Sequence, residues 1–205
     1  KGLYYVQQEK KRLYFRKSTP PKKIQKYYRA LSMEQDKRSP HHYFDSVKDV
    51  TGKVFVDIGC AEGYSSLEIV EEAKHIYLFE QDEQWLEAIR ATFEPWQDKV
   101  TIVQKYVSDH NSSREQTLDD FFNNQTDEHL FLKMDIEGAE RHALTGCKNL
   151  FQNCQKLDFA ICTYHLRDDE EVISTFLNKH NCAYINQKGF FRHRIRSVVM
   201  RGSKR

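Results

Sequence analysis

No stretch of this sequence approaches the ~18 consecutive apolar residues needed to span a bilayer, and its first residues, KGLYYVQQEKK, hold no apolar signal segment. It also lacks an initiator methionine, from which we expect a natural chain that starts upstream or is processed. Cysteines are few: Cys60, Cys147, Cys154, Cys162 and Cys182 make an odd set with no Cys-x-x-Cys pair. That argues against a disulfide framework or a thiolate zinc site, and for a reducing cytoplasm. Repeats and low-complexity tracts are absent too. What is left is one ordinary domain of 205 residues, long enough for a substantial core.

Charge of one sign is missing where it would be informative. Residues 1–38 carry 12 Lys/Arg against 3 Asp/Glu, and residues 188–205 carry 7 against none. With a whole-chain charge of +2, the stretch 39–187 is left at −14. An acidic body with basic ends suits an anionic substrate, nucleic acid or an anionic membrane surface. Solvated flanking faces explain the same charges equally well.

From residue 53 short apolar runs alternate with amphipathic stretches. The runs are KVFVDIG (53–59), HIYLFEQD (75–82), KVTIVQKYVSD (99–109), LFLKMDIEG (130–138) and LDFAICTYH (157–165). Helical patterns separate them at 64–73, 83–96, 139–151 and 168–180. Strand-helix alternation of this kind predicts a parallel sheet covered on both faces. The polar segment 110–128 contains TLDDFF, enough for one or two helical turns. The tail CAYINQKGFFRHRIRSVVMRG reads as two strands around Lys188-Gly189, an antiparallel hairpin completing a mixed sheet. Upstream, LYYVQQEKKRLYFRK alternates like a hairpin and PKKIQKYYRALSMEQ reads as a helix. We therefore expect a basic N-terminal extension over 1–50, packed on a sheet domain over 51–205.

In open α/β sheets, ligands bind beyond the carboxyl ends of the strands. Here those ends are polar: Asp57, Glu80, Asp135 and His165. In VFVDIGCAEGYSS, Gly59 and Gly63 permit a tight turn and close backbone approach to a ligand. Glu80, 21 residues after Gly59, is placed to accept from both hydroxyls of a ribose. A nicotinamide dinucleotide would call for G-x-G-x-x-G. The loop instead reads D-x-G-x-x-x-G, resembling class I S-adenosylmethionine methyltransferases, and carboxylates suit a cationic sulfonium better than a pyrophosphate. Ser108 and Asp109 are candidates for the adenine. Asp135 and Glu137 share the parity of Lys133, which predicts one polar line running to the strand end where the methyl would lie. An alcohol acceptor needs a base, and Asp135, Glu137 and His165 are the candidates. A salt bridge from Asp135 to Lys133, and a helix-dipole role for Glu137, are the structural alternatives. His41 and His42, in SPHHYF, are candidates for folding over the same edge as acceptor contacts, with Lys133. A divalent metal there is possible but not favoured, since their spacing has no ligand pattern.

Together, VFVDIGCAEGYSS, YLFEQD, TLDDFF, LKMDIEGAERHALTG and ICTYH resemble the FkbM-type methyltransferases over roughly residues 39–187. The D-x-E-G-A-E segment after a lysine is that family's most characteristic motif. The resemblance implies a class I, Rossmann-like methyltransferase fold: a mostly parallel seven-stranded sheet with helices on both faces and a C-terminal antiparallel hairpin. It further implies S-adenosylmethionine as cofactor and O-methylation of a sugar, glycan or small secondary metabolite. By position, Asp57, Gly59, Cys60, Ala61, Glu62 and Gly63 form the cofactor loop. Glu80 with Gln81 holds the ribose, and Asp135 and Glu137 face the transfer site. Two departures stand out. Many members carry an asparagine in the loop where Cys60-Ala61-Glu62 stands, and an acid where CTYH stands.

An RNA ribose methyltransferase using the basic, aromatic-bearing ends is the competing expectation. Base-amine and cytosine C5 methylation are disfavoured, because Pro20-Pro21 is followed by Lys22 and no Pro-Cys dipeptide occurs. A binding module on a degenerate fold is a third reading, disfavoured by the intact Asp57, Gly59, Gly63 and Glu80.

Overall fold

The computed structural model describes residues 2–123, 127–191 and 193–204. Residues 124–126 of the polar 110–128 segment, and Arg192 and Arg205 of the basic tail, lie outside the described residues. The apolar runs become β3 (Val54–Ile58), β4 (His75–Phe79), β5 (Val100–Val103), β8 (Leu130–Met134) and β9 (Leu157–Cys162). All five residues of β3 and of β8 are buried, as expected for parallel strands covered on both faces. With β10 (Ala183–Phe191) and β11 (Arg194–Lys204) they form one seven-stranded sheet, ordered β10-β11-β9-β8-β3-β4-β5. Neighbours from β9 to β5 run parallel, and β11 is antiparallel to both β9 and β10. This is the sheet of a class I methyltransferase fold, with the C-terminal hairpin in place.

Alternation along the strands sends residues to two cores. Val54, Val56, Ile58, Leu130, Leu132 and Met134 face one core. It is closed by α4 (Leu118–Phe121), α5 (Glu140–Thr145), α6 (Lys148–Asn153) and α7 (Asp169–Lys179). Phe55 and Phe131 face the other, where their rings stack at 5.3 Å and Phe44 packs edge-on against both. That second core is closed by α2 (Tyr64–Ile69), α3 (Glu83–Phe93) and the N-terminal segment. The segment is the expected hairpin, β1 (Tyr5–Gln8) with β2 (Lys11–Tyr14), followed by α1 (Pro21–Glu34). Leu13, Phe15 and Ile24 are buried in the core, and the Tyr14 amide donates to Thr92 Oγ1 at 3.0 Å.

Several boundaries differ from expectation. The third run splits: after β5 the Lys105 amide turns back to the Val103 carbonyl, and β6 (Tyr106–Val107) pairs with β7 (Glu115–Gln116) outside the main sheet. The helix expected over 139–151 breaks at Gly146, where a Cβ would lie 2.0 Å from the Ser108 carbonyl oxygen. Only a glycine lets α5 end against that loop. The tail does not turn at Lys188-Gly189, which lies inside β10 beside a bulge. Pairing continues through Phe190↔Ile195 and Phe191↔Arg194, so the reversal falls between Phe191 and Arg194, with His193 at φ 70°. Among the described residues no helix is long and apolar enough to cross a membrane.

Candidate functional site

A cavity of about 880 Å³ opens at the carboxyl edge of the sheet, where β3 has β8 on one side and β4 on the other. Its floor is the β3–α2 loop. Gly59 has φ +78°, and a Cβ there would meet the Asp135 carbonyl oxygen at 2.1 Å, so this loop and the end of β8 touch backbone to backbone. The Asp135 amide bonds the Ile58 carbonyl at 3.1 Å.

Asp57 and Lys133 occupy the same register on adjacent strands and face the same side. Their side chains pair at 2.9 Å, and the ammonium also donates to the Gly59 carbonyl at 2.7 Å. Burial pulls the Lys133 pKa down, but Asp57 and Asp135 outweigh it and hold the ammonium above its ordinary value. The ion pair thus braces the loop from inside the sheet, and Asp57 also accepts from the Ser66 hydroxyl at 2.6 Å. Lys133 makes its ion pair with Asp57, with Asp135 a second acid acting on its charge, and its ammonium also holds the loop while it lines the cavity.

Across the loop, Glu80 Oε2 accepts the Ala61 amide at 3.0 Å and Oε1 accepts the Asp82 amide at 2.8 Å. Glu62 is 3% exposed, and its Oε2 has no hydrogen-bond partner among the described residues. Burial pushes its carboxyl pKa up to about 7, despite the opposing pull of its own backbone, Lys133 and the Tyr27 hydroxyl. Tyr27 comes from α1 and stacks on Trp85, over which Arg16 also lies at 4.2 Å. The N-terminal segment therefore forms one wall of the cavity, with Leu31, Glu34 and Gln35 lining it.

At the end of β8 the expected polar line breaks. The strand stops at Met134, and Glu137 turns to φ 56° with its side chain 92% exposed, so it does not continue the parity of Lys133. Asp135 remains in the cavity wall, its Oδ2 accepting from the Tyr43 hydroxyl at 2.8 Å. Behind it stands His165, whose Nε2 lies 3.4 Å from Asp135 Oδ1 and 3.5 Å from Glu137 Oε2, and whose Nδ1 lies 2.9 Å from Glu140 Oε1. Burial lowers the His165 pKa, but Glu140, Asp135 and Glu137 together leave it above the ordinary histidine value.

The cavity thus brings together Asp57, Gly59, Cys60, Ala61, Glu62, Glu80, Gln81, Ser108, Asp109, Lys133, Asp135 and Glu137. Gly63 sits behind the lining as the N-cap of α2, and His165 is one layer back, against Asp135. His41 does not line the cavity; its ring packs edge-on against Tyr164, which does. His42 is turned away altogether. It is buried against Asp45 at 2.7 Å and contacts Arg201 and Gln187, because its neighbours on the β10–β11 hairpin offer it polar partners. Neither histidine therefore joins the cluster of ligand-type side chains found among the described residues, Asp135, Glu140 and His165. Tyr43, Glu140 and Tyr164 are not among the residues the sequence singles out, and Tyr27 stands out there only as one of the N-terminal aromatics. Glu140 is the final acid of D-x-E-G-A-E, and Tyr43 directly follows the two histidines; those were the available signals.

The sequence model of one family, described as the methyltransferase FkbM domain, matches residues 62–190. Among solved structures, the chain is similar to methyltransferase FkbM from Methylobacillus flagellatus KT, at 18% identity and TM-score 0.60, covering 74% of this chain and 43% of that one. The chain therefore spans less than half of that protein's length. It is also similar to a putative methyltransferase from Streptococcus mutans in complex with SAH (14% identity, TM-score 0.53, 77% of this chain and 93% of that one). A third similarity is to the M.jannaschii tRNA m1G37 methyltransferase (13% identity, TM-score 0.53, 98% and 56%). At these identities the likeness is one of fold. No curated protein matches the sequence.

Proposed function

The chain belongs to the FkbM methyltransferase domain family, and from that membership we propose that it is an S-adenosylmethionine-dependent O-methyltransferase acting on a sugar, a glycan or a small metabolite. Bound in the cavity, the cofactor would supply a sulfonium methyl, whose C–S bond breaks as a C–O bond forms to the acceptor. The observation that carries this reading is the set of carboxylates around the cavity. Glu62 Oε2, buried and without a hydrogen-bond partner among the described residues, suits a cationic ammonium group. Each Glu80 oxygen accepts one amide and keeps a lone pair for a ribose hydroxyl.

The chain's own task is to align the acceptor and take up its proton. Asp135 is held by Tyr43 on one oxygen and faces His165 with the other, so a hydroxyl proton arriving at Asp135 enters a carboxylate–imidazole group able to hold it. The cysteines, all free thiols and four of them buried, support a reducing cytoplasm as the working compartment.

Calorimetry tests the cofactor directly: S-adenosylmethionine should bind, and Glu80→Ala should weaken it roughly 10- to 100-fold, for two hydrogen bonds of about 1 kcal/mol each. No heat with the wild-type protein would remove the proposal. Asp135→Asn should lower turnover while leaving cofactor affinity nearly intact. A second reading, RNA ribose methylation, draws support from Lys22, Lys23, Lys26 and Arg29, exposed on α1. Robust, salt-sensitive transfer to RNA with none to a glycan panel would replace the first reading by the second.

A further inference from the structure

Three ligand-type side chains from separate parts of the chain converge behind the cavity wall. Asp135 follows β8, Glu140 opens α5, and His165 follows β9. One donor atom from each lies within 4.8 Å of the other two. Glu140 is fully buried; its Oε1 accepts the Ile136 amide at 2.9 Å, while its Oε2 has no hydrogen-bond partner among the described residues. His165 has its side chain 8% exposed; its Nδ1 lies 2.9 Å from Glu140 Oε1, and its Nε2 has no hydrogen-bond partner among the described residues. Asp135 Oδ1 is in the same condition.

Two carboxylates and an imidazole with ligand atoms within 4.8 Å of one another, Glu140 and His165 out of water and Asp135 at the cavity wall, suit a positive centre among them. Ligands about 2.1 Å from a shared ion stand roughly 3 to 3.5 Å apart. The 3.4 Å from His165 Nε2 to Asp135 Oδ1 falls in that range and is long for a hydrogen bond. Oxygen donors with one imidazole suit Mn²⁺, Fe²⁺ or Zn²⁺ and would not select a thiophilic ion. Tyr43, donating to the other oxygen of Asp135, orients that carboxylate as an outer-shell partner does. Access is open, because Asp135 lines the cavity and Glu137 stands in solvent 3.5 Å from the same ring nitrogen.

We propose that Asp135, Glu140 and His165 bind one divalent metal cation at the inner wall of the cavity. The proposal rests on the reading of this wall as the transfer site, and it changes what happens there. The ion would bind the acceptor oxygen and ease loss of its proton, replacing a base of single charge with a Lewis acid.

The test is a Mn²⁺ titration of chelator-stripped full chain, with neither cofactor nor acceptor present, read by the electron paramagnetic resonance of free Mn²⁺. One saturable site is expected, weakened roughly 10- to 100-fold or more by Glu140→Gln and by His165→Asn. Asp36→Asn, on the surface, should leave it unchanged. Circular dichroism checks that each variant is folded. No saturable uptake at millimolar Mn²⁺, and none of Zn²⁺ either, overturns the proposal, as does uptake that both cluster variants leave intact. The two readings fail separately. S-adenosylmethionine binding without metal uptake ends the metal site alone, whereas metal uptake without cofactor binding upholds the site and ends the methyltransferase reading.

Discussion

Glu62 is an acid placed where an acid is expensive. Ala61 before it takes a φ of 47°, and the carboxylate that follows is carried inward, 3% exposed. Because its pKa rises from an ordinary 4.5 to about 7 in the folded chain, the stability it contributes is full below about pH 4.5 and is lost as pH rises through 7. Glu62→Gln removes that dependence. We expect the variant to match the wild type near pH 4 and to exceed it at pH 8 by on the order of 3 kcal/mol in the absence of ligand. Urea melts of both proteins across that range check the sign and the size. The same substitution should weaken the cofactor, since the charge that burdens the empty fold is the charge a sulfonium amino acid would use. A gain in stability at high pH coupled to a loss of affinity is the signature of a residue kept for binding.

At the scale of elements, β3 and β8 are joined by a matched pair of charges as well as by their ladder. Asp57 and Lys133 face each other in register with the backbone carbonyl of Gly59 above them. Lys133→Met should destabilise the fold by about 3–5 kcal/mol, since it strands a buried carboxylate. Replacing both partners, Asp57→Leu with Lys133→Met, should recover much of that in denaturant melts. The strands were legible in the sequence because they are buried on both faces and so read as unbroken apolar runs. Asp57, Glu80 and Asp135 were legible as the polar residues that end such runs. Contacts between distant segments were not. Nothing local to Tyr43 announces a bond to Asp135, 92 residues away, and nothing local to Glu140 announces His165. Lys188-Gly189 misled for the opposite reason: as a pair it is good turn chemistry, but the pairing on either side of it runs on.

At the scale of the molecule, the N-terminal segment belongs to the core it covers. Leu13, Phe15 and Ile24, at about 1.5–3 kcal/mol each for burial, contribute roughly 5 to 9 kcal/mol, comparable with the whole 5–15 kcal/mol margin of a typical domain. A chain cut to 39–205 should therefore lose its near-ultraviolet circular dichroism or fail to stay in solution, although it keeps every strand of the large sheet. A folded, soluble truncation would show the segment to be an accessory cover. The segment also walls the cavity through Tyr27 and Leu31, so any substrate specificity built there is coupled to global stability.

The order of the sheet has a consequence in time. β11 follows the other six strands in chain order, yet it lies between β9 and β10. A growing or refolding chain must therefore hold β9, LDFAIC, as an open and strongly apolar edge until the hairpin arrives to cover it. That interval is when this protein is most exposed to joining a second copy of itself. A fold with so many long-range pairings closes it slowly.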